Sequence, residues 1–210
     1  SVLSLSILVL LLGSLVPVTN ISVLEDSERT LFADSEPEML VQAGTSTGHV
    51  NGSQIEATPN GWVISGDTRN SLTFGAFQLQ ATSVYNNQLD ADSYVASIDS
   101  QGNWLWAIMP DATQGLTLVT SMTSSIGGDI FIGGLIIGDV NFGSTLLSAQ
   151  NGYGDGFIAK VGPWGQWMWA VAFDTATNSV GNSSIVTGLA ASLSGDVIVS
   201  GTQKGYTDFG

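Results

Sequence analysis

The sequence predicts an all-β fold assembled from repeated antiparallel sheets, and three observations lead there. First, its 26 glycines are scattered among Ser, Thr, Asn and Asp, the distribution of many tight turns between short strands. Second, residue character alternates with period two. Tyr94, Ala96 and Ile98 share one strand face, Val95 and Ser97 the other, and Phe157, Ala159 and Val161 repeat the pattern. Third, segments recur in phase: GWVISG at 61–66, GDIFIGG at 128–134 and GDVIVSG at 195–201 close on Gly66, Gly134 and Gly201, which are 68 and 67 residues apart. A Phe-Gly pair follows each, at Phe74-Gly75, Phe142-Gly143 and Phe209-Gly210. Three copies in one phase indicate a repeat architecture.

Taken in chain order, the first element is apolar. Residues 2–18 carry no charge and are dominated by Leu, Val and Ile around Gly13 and Pro17. A spanning helix needs ~20 apolar residues, so this run of roughly 17 reads as the helical core of a signal peptide within 1–20, with a membrane anchor as the alternative. No initiating Met, basic flank or clear small-x-small cleavage site accompanies it, and the chain is expected to be clipped at its N terminus. Next, Glu25, Asp26, Glu28, Asp34, Glu36 and Glu38 fall within 14 residues, so 21–38 reads as a solvated acidic linker.

The remainder, 39–210, is the repeat region. One unit reads as strands at 53–58, 62–66, 74–81, 94–99 and 104–109, with an extended connection over 84–91. Its second half recurs as DSYVASIDSQGNWLWAIMP from Asp92 and DGFIAKVGPWGQWMWAVAF from Asp155, 63 residues on. Gly102 and Gly165 each introduce a final strand, as turn residues able to take positive φ. Four-stranded sheets repeated this way read as blades of a β-propeller. A ring takes at least ~4 blades, so about two and a third units make an incomplete propeller. Residues 39–43 look like an orphan last strand, of the kind that closes a ring by completing the blade at the other terminus.

These strand motifs, GDVIVSG, DGFIAKV with its Gly-containing turn, and WMWAVAF, resemble the bacterial and archaeal β-propeller repeat known as the SBBP repeat. That family strings a G-N-V-Y-V-T-G-like strand, a D-A-F-V-A-K-L-D-like strand and an L-L-W-like strand. The resemblance covers roughly residues 39–210 and implies a secreted or cell-surface repeat protein, mostly of unassigned activity. It departs at one turn: Asp99-Ser100-Gln101-Gly102-Asn103 keeps the D-x-x-G form, whereas Gly162-Pro163-Trp164-Gly165 lacks the Asp.

Composition narrows the function classes. A hydrophobic content of 43% against 10% charged residues supports a buried core. A net charge of -14 repels phosphate backbones and anionic headgroups, which argues against nucleic acid and leaves membrane contact to the N-terminal segment. The absence of cysteine removes disulfides, thiolate metal sites and thiol nucleophiles.

Among side chains able to do chemistry, six tryptophans stand out: Trp62, Trp104, Trp106, Trp164, Trp167 and Trp169. Exposed rings could stack on sugars. Trp104 and Trp106, two apart and read as sharing one strand face, recur as Trp167 and Trp169, which favours packing between blades. Trp164, in a Gly-Pro-Trp-Gly turn, is the candidate ligand contact. Asp90, Asp92 and Asp155 are the candidate metal ligands, because carboxylates on Gly-rich turns could hold Ca²⁺. They fit neither the EF-hand nor the nonapeptide spacing, and capping of a turn is the competing reading. No other cofactor is implied. The single histidine, His49, has no partner motif. Sequons at Asn20, Asn51 and Asn182 permit glycosylation of an exported chain. The expectation is a non-enzymatic protein, secreted or in the cell envelope, that serves adhesion, scaffolding or binding of an extracellular glycan or protein. A polysaccharide-directed glycosidase or lyase on the same scaffold is the alternative, since paired carboxylates can be assembled across blades.

Overall fold

The structure, a computed structural model, describes residues 6–11, 39–44, 50–85, 88–89, 91–149, 153–173 and 183–205. In chain order its strands begin with β1 (Ser6–Leu11), β2 (Met39–Gly44), β3 (Val50–Thr58), β4 (Gly61–Thr68), β5 (Ser71–Phe74) and β6 (Phe77–Gln80). There follow β7 (Val84–Tyr85), β8 (Gln88–Leu89), β9 (Asp92–Ile98), β10 (Trp104–Ile108), β11 (Asp111–Ser124) and β12 (Ile130–Phe142). The last five are β13 (Thr145–Ala149), β14 (Asp155–Val161), β15 (Trp167–Phe173), β16 (Ser183–Ala191) and β17 (Val197–Lys204). The described residues are all-β, and all strand pairs among them are antiparallel.

Two sheets carry the repeat. Strands β3, β4, β9 and β10 form one four-stranded meander; β11, β12, β14 and β15 form the next, with β13 also paired to β12. Strands β16 and β17 pair as the first two strands did in each earlier unit. The other sheets are β1-β2-β5-β6 and the ribbon β7-β8. Among the described residues these sheets do not close into a ring, and no helix is long and apolar enough to cross a membrane.

The glycines that reveal the period have a specific cause. Gly66 pairs with Gly52, Gly134 with Val119 and Gly201 with Val186, and beside each pair the first strand skips one residue in a β-bulge. A Cβ on the three glycines would lie 1.8, 1.8 and 2.3 Å from the carbonyl oxygens of Asn51, Leu118 and Ile185. The bulge drives one backbone onto the next, and only glycine leaves room for it.

The Phe-Gly pair has an equally local cause. Phe74 packs against Tyr94 at 5.2 Å and edge-on to Trp104 at 4.8 Å. Phe142 repeats this against Phe157 at 5.0 Å and Trp167 at 5.1 Å. Gly75 and Gly143, with φ of 57° and 64°, turn the chain directly against those two indoles. Positive φ lets the chain reverse there without a Cβ clash.

Successive units are joined by a repeated bond. The Ser93 N–H of β9 donates to Thr117 Oγ1 of β11 at 3.1 Å, and the Gly156 N–H of β14 donates to Ser184 Oγ of β16 at 2.7 Å. Ser93 Oγ also donates to Thr117 O and accepts from Val119 N–H, at 3.1 and 2.9 Å. Around this seam Val63, Val95 and Trp106 of the first sheet share one buried core with Ile130, Ile132, Phe157 and Val161 of the second.

Three expectations are corrected. The segment 74–81 is not one strand: β5 and β6 form a hairpin that reverses at Gly75. Trp104 and Trp106 do not share a face, because a bulge separates their partners, Ile98 and Ser97. Trp104 therefore packs with Phe74 and Tyr94 on one side of the sheet while Trp106 enters the core on the other, and a bulge between Lys160 and Val161 separates Trp167 from Trp169 in the same way. Within the expected N-terminal helix, Ser6–Leu11 is instead strand β1, paired along its length with β2. That register gives its backbone a hydrogen-bonding partner, which an apolar run rich in Ile, Val and Leu accepts readily. The presumed orphan strand is β2, which also meets β5 at Gly44 and Thr73. The acidic stretch, His49, Asp90 and Phe209-Gly210 lie outside the described residues.

Candidate functional site

Ile126, Trp164 and Leu193, the three most exposed large apolar side chains among the described residues, stand on turns at one end of the sheets. Each is a short loop closed by two backbone bonds. In 99–103, Asp99 N–H donates to Asn103 O at 2.9 Å and Gly102 N–H to Asp99 O at 3.2 Å. The turn 162–166 reproduces this, from Gly162 to Gln166 O at 2.9 Å and from Gly165 to Gly162 O at 3.0 Å. Gly102 and Gly165 take φ of 89° and 80°. Gly162 in place of an Asp at the Asp99 position thus leaves the backbone of the turn unchanged. What it removes is a side-chain acceptor, since Asp99 Oδ1 also accepts from the Gln101 and Asn103 N–H groups at 2.9 and 2.8 Å. Partial burial pulls the Asp99 carboxyl upward, but the hydrogen bonds from Asn103, Gln101 and Gly102 outweigh it and hold it below its ordinary value.

Trp164 stands on that turn with 77% of its surface exposed. Beneath it, Trp106 of the preceding unit is 7% exposed and donates Nε1–H to Pro163 O at 3.0 Å. Gly165 lies flat on the Trp106 indole, where an added Cβ would come within 2.8 Å. The exposed indole is therefore carried on a turn fixed from below by a buried one. The neighbouring turn, 125–129, approaches Pro163 and Pro59 at Gly128 and carries Ile126, 74% exposed. In the third unit Leu193, 67 residues beyond Ile126, is 86% exposed at the same point of its turn. Close by, Lys160 bonds Asp129 at 2.7 Å and lies 5.5 Å from the Phe131 ring. The arrangement offers a flat aromatic face beside aliphatic and polar groups, the surface that stacks on a sugar ring or packs on a protein.

The acidic candidates occupy a different environment. Asp92 and Asp155 open β9 and β14 at the same repeat position, one in each sheet, with 0% and 1% exposure. Asp92 Oδ2 accepts from Thr82 N–H at 2.6 Å and Ser83 N–H at 2.9 Å, which pins the connection before β9. Burial pushes the Asp92 carboxyl up, with a further push from Asp111, and the two N–H groups offset part of it. Among the described residues no group of three His, Cys, Asp or Glu side chains could hold a metal ion. Another buried ionisable group, Tyr94, donates its hydroxyl to Asn51 O at 3.1 Å, and burial, aided by the Asp67 charge, raises its pKa.

Sequence reasoning missed Ile126 and Leu193, although the signal was present as an apolar residue inside SIGGD and SLSGD at one repeat position. It also missed the Ser93–Thr117 and Gly156–Ser184 seam, for which small hydroxyl residues at 67-residue spacing, Thr117 and Ser184, were the only trace. The chain matches no protein-family model and no curated protein.

Proposed function

We propose that this chain is part of an exported, non-enzymatic β-propeller repeat protein of the SBBP kind, residing outside the cell or in its envelope. It binds an extracellular glycan or protein through the turns at one end of its blades. Trp164 carries this reading: it is 77% exposed on a turn anchored from below by Trp106, and a held, solvent-facing indole loses little conformational entropy on stacking. The blade reading is supported by the seam bond, which recurs at matching positions in two successive units. Export is supported by the uncharged run at 2–18. Supporting a binding role over hydrolysis, the two buried carboxylates Asp92 and Asp155 sit one per sheet, and Asp92 is engaged by backbone N–H groups.

A glycan array probed with the chain and with its Trp164→Ala variant tests the sugar-binding form. Binding to a defined glycan class that falls about five- to thirtyfold in the variant is expected, an indole stack contributing about 1–2 kcal/mol. No signal above background for either protein would refute glycan binding.

A further inference from the structure

Three asparagines precede a glycine: Asn51-Gly52, Asn60-Gly61 and Asn151-Gly152, the last outside the described residues. A following residue without a Cβ leaves its backbone nitrogen free to approach the asparagine Cγ. The two described pairs differ in their surroundings. Asn51 lies within the β3–β4 ladder opposite Asp67. Its Nδ2 donates to Asp67 Oδ1 at 3.2 Å, and its carbonyl accepts from the Tyr94 hydroxyl at 3.1 Å. Asn60 is exposed at the tip of the two-residue turn 59–60 between β3 and β4, where Thr58 pairs with Gly61. Gly61 is fixed by its contacts: it takes φ of 134°, and a Cβ there would lie 2.2 Å from Ile98 O of β9. Packing of the turn on β9 therefore demands, beside Asn60, the one residue that leaves its Cγ open to attack. At successive spacings of 67 residues the same position holds Gly127 and then Ser194, neither of which has a side-chain amide to lose.

We propose that Asn60 is a site of spontaneous covalent modification, converted to aspartate and isoaspartate with water as the only co-reactant. The Gly61 nitrogen gives up its proton and bonds to Asn60 Cγ. Nδ2 takes up that proton and leaves as ammonia, which closes a succinimide ring. Water then adds to either ring carbonyl and breaks its bond to the Gly61 nitrogen, which regains a proton. Opening at Cγ gives aspartate. Opening at the backbone carbonyl gives isoaspartate, whose main chain runs through Cβ and Cγ. No group is oxidised or reduced. Both products place a carboxylate on the turn, and isoaspartate also adds a methylene to the backbone between the paired residues Thr58 and Gly61. Pro59 of this turn borders the turn of the second unit, its Cδ lying 3.7 Å from the place of a Cβ on Gly128. The modification therefore acts where the turns of two units meet. It requires neither ring closure nor glycan binding.

The chain is aged in mildly alkaline buffer, folded and in parallel in concentrated urea, and aspartate and isoaspartate are quantified at both positions by peptide mapping with mass spectrometry. In the folded chain, conversion at Asn60 is expected to outpace conversion at Asn51 by roughly tenfold or more. Cyclisation at Asn51 waits on opening of the strand ladder, and every about 1.4 kcal/mol of opening free energy slows it tenfold. In urea both are unfolded Asn-Gly pairs, and the two rates are expected to converge. Equal rates in the folded chain, or faster conversion at Asn51, would overturn the proposal. So would a folded chain that stays unconverted at Asn60 while the urea sample reacts, or a preference for Asn60 that persists unchanged in urea, which would assign it to neighbouring sequence and not to the turn.

Discussion

Trp106 and Trp169 occupy the same repeat position in different surroundings, so the pair measures what contact between units contributes. Trp106 is 7% exposed within the core shared by the two sheets and bonds Pro163 O at 3.0 Å. Truncation to alanine empties a site that cannot collapse between two sheets, at a cost of about 3–5 kcal/mol. Trp106→Phe keeps most of the volume but strands the Pro163 carbonyl, and is expected to cost about 1–2 kcal/mol. Trp169 lies partly exposed against Phe131 with ring centroids 6.1 Å apart and lines an open cleft beside β17. Its alanine variant is expected to cost only about 1–2 kcal/mol, in proportion to the area it hides. Urea unfolding followed by far-UV circular dichroism reads the difference. With a slope of about 1–3 kcal/mol per molar urea, Trp106→Ala should lower the midpoint by on the order of 2 M and Trp169→Ala by less than half as much. Losses equal within about 0.5 kcal/mol would show that the Trp106 seat on the next unit contributes nothing, and the reasoning from unit equivalence would fail.

Further outcomes follow from the same geometry. Gly134→Ala places a Cβ 1.8 Å from Leu118 O and should cost about 2–3 kcal/mol in the same titration, as an overpacked site does; a neutral effect would deny the close approach. Ser93→Ala removes the hydroxyl that accepts from Val119 N–H and donates to Thr117 O, and should destabilise by about 1–3 kcal/mol, with faster amide exchange at Val119. Asp92 gives a pH signature. Its folded carboxyl is raised mainly by burial from the ordinary 3.8, so it binds its proton more tightly folded than unfolded. Its stabilising contribution is full below pH 3.8 and is lost as pH rises through the folded value. Asp92→Asn, which has no such proton to lose, should flatten the decline of stability above that pH, and an unchanged profile would show that Asp92 is not its source.

The sheets could be read from the sequence because their signals are local and repeated. Alternation at 94–98 and 157–161 gave β9 and β14, and the glycines at 66, 134 and 201 marked a bulge that recurs in each unit. What escaped is non-local or depends on single-residue register. The bulge between Trp104 and Trp106 reverses a face without changing residue spacing, so period-two reasoning put both indoles together. The hairpin of β5 and β6 was read through as one strand because Phe-Gly resembles strand continuation until Gly75 takes positive φ. The exposed turn carrying Trp164 was legible from Gly-Pro-Trp-Gly alone. Its anchor was not, since the Trp106–Pro163 bond joins residues 57 apart in sequence.

The rotation that carries one unit onto the next is the most direct test of the propeller reading, measured in a crystal structure by superposing β3-β4-β9-β10 on β11-β12-β14-β15, and then β11-β12 on β16-β17. A propeller predicts the same rotation for both steps, about a common axis with negligible translation along it. A consistent translation along that axis, which makes a solenoid, or two unequal rotations would contradict it.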